Sequence, residues 1–153
     1  MGGSGNTAWK RYHNAKLANS AFAMALHDSL KGKDSKVKSI GCEPGYSTSG
    51  LQNTSQHTGR MMLSMLNAAA AFGAAQSPAD GSLPASVACF GPGAESGDFY
   101  FPKGKNNLKG EPIKSIEKGR LVKKGKDKES VDLKNKQLIM GVTIEALGIS
   151  SFL

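Results

Sequence analysis

Tyr12 and Lys16 stand four residues apart. On a helix that spacing puts both side chains on one face, one turn apart. A free phenol has a pKa of about 10 and exchanges protons poorly at neutral pH. An ammonium group within ~4–6 Å favours the phenolate and lowers that value. A tyrosine and lysine so placed form a tuned proton donor and acceptor. Taken alone, Tyr-x-x-x-Lys is a weak signal, because many helices of this composition contain it. Other candidates are weaker still. His13, His27 and His57 have no partners at metal-ligand spacing, so surface or core roles are expected and no metal site is assigned. Ser47, Thr48 and Ser49 do not form a nucleophile elbow. Cys42 and Cys89 are too few for a disulfide framework. Cys89 reads as a small buried hydrophobe on an apolar helix face.

The elements that must hold these residues follow from patterning. Residues 1–7 form a small, polar lead. A helix is expected from Ala8 to Leu30, with Thr7 as its N-cap. Leu17, Ala21, Met24 and Ala25 make one apolar stripe, and Phe22, Leu26 and Leu30 a second. Gly32 lies where a left-handed cap is common. Val37–Cys42 reads as a short strand covered on both faces, stopped by Glu43-Pro44-Gly45-Tyr46. A second helix is expected over Thr58–Ala75, with Met61, Met62 and Met65 as core filler. Ser77-Pro78-Ala79-Asp80 has the cap, proline and acid of a helix start. That helix continues through Leu83, Val87 and Phe90, with a kink expected at Pro84. Gly97–Pro102 reads as a late strand. Leu133–Leu147 reads as a last helix with Leu138, Ile139, Val142, Ala146 and Leu147 apolar. There is no internal repeat.

The chain has 153 residues, 39% of them hydrophobic, and a net charge of +8. One domain with a sizeable core is expected. No apolar run is long enough to span a membrane and no secretory signal opens the chain, so a cytoplasmic, reducing location is the default. Between Lys103 and Lys136 stand twelve basic and five acidic residues, which is +7 of the +8 total. Residues 103–132 read as a solvated basic loop or insertion. The sharper reading is a polyanion-binding patch within 103–136. Without interleaved aromatics or a zinc framework it would not read nucleic-acid sequence.

Trp9-Lys10-Arg11-Tyr12-His13-Asn14-Ala15-Lys16-Leu17-Ala18-Asn19 resembles the active-site helix of the short-chain dehydrogenase/reductase family. It is closest to the retinol-dehydrogenase-like branch, with Ala15 in place of the usual serine. Val37–Cys42 followed by Pro44-Gly45 resembles the family's next strand and its Pro-Gly end. Pro44–Gln52 resembles the Pro-Gly-Tyr-x-x-Thr-x-Leu-Gln loop. Ser77–Pro84 and Gly97–Tyr100 resemble later elements of the branch. The matches together cover roughly residues 6–103.

The resemblance implies an α/β fold: the C-terminal half of a Rossmann-like doubly wound parallel sheet with flanking helices, the nucleotide-binding half absent. It implies an NAD(P)-dependent oxidoreductase acting on a small carbonyl/alcohol substrate. Tyr12 would be the acid/base. Lys16 would hold the nicotinamide ribose and depress the Tyr12 pKa. Pro44 and Gly45 would let the backbone approach the nicotinamide. Ser47 and Ser49 would offer hydroxyls on the cofactor loop, Ser49 standing where the family has threonine. Trp9 and Tyr46 would either line the pocket or pack. A homodimer through the Tyr12 helix is a further implication. The alternatives are a non-catalytic interaction protein that keeps half the fold, and a basic module that binds a polyanion through residues 103–136.

Overall fold

The computed structural model describes residues 8–33, 35–48, 73, 75–123 and 127–151, with Ala8, Trp9 and Lys105 described in backbone only. Helix α1 spans Ala8–Leu30, with the bounds that the apolar spacing predicts. Its two stripes turn inward: Ala21, Met24, Ala25 and Leu30 are buried. Gly32 adopts φ +81° and reverses the chain. Strand β1 is Gly41–Cys42, shorter than the expected Val37–Cys42. Its ladder reaches further than its name. Gly97 N donates to Ser39 O, Gly41 N to Asp98 O and Glu43 N to Tyr100 O. Coverage on both faces does not hold, since Val37 is 61% exposed. The reason is position: β1 is the outermost strand of the described sheet.

Helix α2, Pro78–Phe90, begins as its residues dictate. The Ser77 hydroxyl accepts from Asp80 N and donates to the Asp80 carboxylate, closing the first turn. The helix runs on through Pro84, which is buried. Its inward stripe is Gly81 and Pro84, not the larger residues: Leu83 is exposed and Phe90 is 87% exposed. Strand β2 is Phe99–Pro102, β3 Pro112–Glu117 and β4 Arg120–Leu121. Helix α3 is Leu133–Leu147, capped by the Asp132 side chain and ended by Gly148 at φ +63°. It lies against α1, and not all of its apolar residues are covered. Leu138, Val142 and Leu147 are exposed, while Ile139 is half-buried.

The fold is mixed α/β with a four-stranded sheet in the order β1-β2-β3-β4. β1 and β2 are parallel, and a long crossover containing α2 joins them. β2–β3 and β3–β4 are antiparallel. This corrects the purely parallel sheet that the resemblance implied. It also corrects the loop expected over 103–132, which instead carries two strands. The physical cause is the tight turn Lys118-Gly119, with φ +49° and +78°. Two successive positive φ values make a turn whose twist matches a hairpin, and a hairpin forces antiparallel pairing. No helix of the described residues is long and apolar enough to cross a membrane.

The two faces of the sheet differ. Met24 of α1 packs on Phe99 and Ile116, with Ala23 and Val131 beside them. Alternation sends Tyr100 to the opposite face, which α2 covers. Most of the helix expected over Thr58–Ala75 lies outside the described residues, as do Ser49 and Thr7. At its expected end, Gly73 has φ +62° and Ala75 is not helical.

Candidate active site

Tyr12 and Lys16 share one face of α1, as their spacing requires. The Lys16 Nζ lies 5.6 Å from the Tyr12 ring centroid, within the range of a cation–π contact. The His13 ring meets Tyr12 edge-on at 6.1 Å between centroids. Tyr12 is half-buried and Lys16 exposed. One turn further on, the Ser20 hydroxyl lies 2.8 Å from that of Ser130 and donates to Leu17 O. This fastens α1 to the 3-10 turn Lys128–Ser130 and fixes the helix just below the pair. The Trp9 side chain lies outside the described residues.

The Pro44–Ser47 bend is held by its neighbours. Gly45 has φ +69°, and a Cβ there would come within 2.5 Å of Leu108 O and 2.8 Å of Pro102 Cγ. Glycine is therefore needed so that the bend can pack on the 102–108 segment. Tyr46 N donates to Leu108 O at 2.7 Å. Gln76 is buried and spans the gap: its Nε2 donates to Pro44 O and its Oε1 accepts from Gly110 N. Its backbone N donates to Tyr46 O and its carbonyl accepts from Thr48 N. Ser47 sits against the first turn of α2, its Cβ 2.7 Å from where a Gly81 Cβ would stand. Gln76 was not singled out from the sequence. Its one sequence signal is its place immediately before the Ser77 cap.

Helix and strand rise carry the pair and the bend towards the same end of the sheet. The Ser39 hydroxyl donates to Ala23 O at 2.8 Å, which sets the level at which β1 crosses α1. From there Tyr12 is eleven residues back along the helix, about 16 Å at a rise of 1.5 Å per residue. Pro44 is five residues forward along extended chain, again about 16 Å at 3.2–3.4 Å per residue. The helix and strands run oppositely: His27 lies against Gly97, while Met24, three residues earlier, packs on Phe99, two residues later. Both groups therefore travel the same distance towards one end.

A second cluster, not read from the sequence, lies beneath the α2 face. Asp98 is fully buried. Its carboxylate accepts from Glu95 N, Lys118 N and Tyr100 Oη, and pairs with Lys114 Nζ at 2.9 Å. Burial pushes its pKa up. The hydrogen bonds from Glu95, Lys114 and Lys118 and the Lys114 charge outweigh this and hold the carboxyl below its ordinary value. Tyr100 is pushed up by burial first and then by the Asp98 charge. Lys114 loses some basicity to desolvation, but Asp98 raises its pKa overall. These residues tie the loop after α2 to the start of β2 and to β3.

His27 is buried, with Nδ1 at 3.0 Å from the Ser96 hydroxyl, and it acts in the core. Cys89 is exposed, which corrects its reading as a buried hydrophobe. Among the described residues, no group of three His, Cys, Asp or Glu could hold a metal ion. The cations of 103–136 are not a uniform surface. Lys109 donates to Gly73 O, Lys114 pairs with Asp98, Lys123 donates to Asn107 Oδ1, and Lys136 pairs with Asp28. An open hollow of about 710 Å³ lies between α1 and the start of α3, lined by Leu17, Leu121, Glu129 and Asp132. It borders neither Tyr12 nor the bend.

Tyr12 Oη and Lys16 Nζ offer a hydroxyl and an ammonium on one helix face. Among the described residues, no strand, glycine-rich turn and helix follow one another to cradle a pyrophosphate. The chain matches no protein-family model, no curated protein and no solved structure.

Proposed function

We propose that the chain carries the proton-transfer portion of an NAD(P)-dependent oxidoreductase of the short-chain dehydrogenase/reductase type. Its sheet would be the C-terminal part of a Rossmann-like layer. What supports this reading is a chain-geometry estimate: helix and strand rise carry the Tyr12–Lys16 pair and the Pro44–Ser47 bend about 16 Å from the Ser39–Ala23 contact towards the same end of the sheet. A parallel β1–β2 pair with a helical crossover is in keeping with it. The substrate is a small carbonyl or alcohol. The cofactor supplies or accepts the hydride. Tyr12 Oη gives its proton to the substrate oxygen on reduction and takes it back on oxidation. Lys16 holds the ribose hydroxyls; Ser47 and Ser49 are assigned to the cofactor loop, Ser49 lying outside the described residues. Two free thiols suit a reducing, cytoplasmic setting, and a second copy would pair through α1.

The test starts from the codons upstream of Met1. In this reading they encode a glycine-rich strand–turn–helix. The protein expressed with that segment oxidises NAD(P)H in the presence of a carbonyl substrate. A stop codon directly upstream, or activity indifferent to Tyr12→Phe, would overturn the reading. The 153-residue chain alone is expected to bind NAD(P)H poorly. Micromolar binding by calorimetry would contradict the need for the pyrophosphate half. A basic polyanion-binding module is disfavoured, because four of the lysines in 103–136 are engaged within the fold.

A further inference from the structure

The two cysteines are distant in sequence, and the fold brings them to one face of the sheet. Residues of a strand alternate between faces. Ser39 faces α1, because its hydroxyl reaches Ala23 O. Gly41 faces the same way: a Cβ there would strike the Phe99 ring, which packs on Met24. Cys42 therefore projects to the opposite face, which α2 covers. Cys89 lies in the last turn of α2, and α2 contacts β1 directly. Both thiols are free and exposed. Burial, then charge on Cys89, then Glu43 push the Cys42 thiol up.

We propose that Cys42 and Cys89 form a reversible intramolecular disulfide that ties the end of β1 to the last turn of α2. The oxidant is a peroxide. One thiolate attacks the peroxide oxygen, the O–O bond breaks, and a sulfenic acid and one water result with hydrogen peroxide. The second thiol attacks the sulfenic sulfur, the S–S bond forms, and a second water leaves. Two thiols lose two electrons and two protons, and the peroxide is reduced to two waters. A dithiol reverses the step by exchange. Cys42 stands two residues before Pro44, so the bond would tether the strand from which the bend departs. The proposal does not depend on the oxidoreductase reading.

The full chain is treated with one equivalent of hydrogen peroxide and mapped by mass spectrometry without reduction. The expected product is a monomer lighter by two hydrogens, with both thiols lost to titration and a Cys42–Cys89 cross-linked peptide. Dithiothreitol restores both thiols. In concentrated urea the yield of that peptide falls roughly tenfold, because the fold no longer raises the effective concentration of one thiol at the other. Cys89→Ser keeps one thiol and gives no intramolecular cross-link. Titratable thiols after treatment, separate oxidation products on each cysteine, disulfides only between chains, or equal yield in urea would each overturn the proposal.

Discussion

The molecule contains two tyrosine–lysine pairs of nearly the same geometry. Lys16 lies 5.6 Å from the Tyr12 ring and Lys114 5.7 Å from the Tyr100 ring. Their surroundings separate them. Tyr12 and Lys16 belong to one helix, one turn apart, with the lysine in solvent. Tyr100 and Lys114 face each other across two antiparallel strands, with a buried aspartate between them. The buried phenol is held protonated and its hydroxyl is spent on Asp98. It is a structural group. The helical pair has the access that proton exchange requires. The same two residue types therefore stand exposed on a helix or locked in a buried ion-pair cluster according to what else reaches them.

The largest expected difference is in activity. Under the proposed function, Tyr12→Phe should lower carbonyl reduction by about 10²–10⁴-fold, the usual contribution of a positioned acid/base. The melting transition should shift little, because Tyr12 is only half-buried. Tyr100→Phe should do the reverse, keeping turnover and losing stability. Equal activity losses for the two variants would erase the distinction.

Next comes the buried carboxylate. Asp98→Ala should cost about 3–5 kcal/mol of unfolding free energy, as removal of one partner of a buried ion pair does. Urea denaturation measures it. Loss under about 1 kcal/mol would mean that water replaces the missing acceptor.

The pH dependence carries a defined sign. The folded Asp98 pKa lies below its ordinary value. Its contribution is present above the unfolded carboxylate pKa of about 3.9 and is lost as pH falls through the folded value. Tyr100 and Lys114 are raised. Their contributions are present below about pH 10 and are lost as pH rises through the folded values. Urea midpoints across pH should fall at both extremes, and Asp98→Asn should flatten the acid limb.

The smallest effect is expected at the surface. Lys136 pairs with Asp28 between α3 and α1, and Asp28 is half-exposed. Lys136→Ala should cost about 0–1 kcal/mol, less at high salt. A larger loss would show that α3 depends on this bridge.

Local order accounts for what could be read in advance. The bounds of α1 and α3, the Ser77 cap and the reversal at Gly32 follow from residues within a few positions of one another. The same holds for Tyr12 and Lys16, because helical spacing alone makes them neighbours. The Lys118-Gly119 hairpin was hidden because lysine does not announce a positive φ. Without that turn, the basic segment reads as a loop. Which apolar residues of α3 are left exposed was not legible, because an apolar stripe does not say which neighbour will cover it.

The amino-acid order by itself determined the bounds of α1 and α3, the Ser77 cap and the neighbouring of Tyr12 and Lys16, since each depends on interactions a few residues long. Only the tertiary structure decided that β3 and β4 turn back antiparallel and that Gln76 holds the Pro44 bend. It also decided that Asp98 meets Lys114 and that Cys42 shares a face with Cys89. Those contacts join residues far apart in the chain. Their geometry exists only once the sheet and its helices have packed.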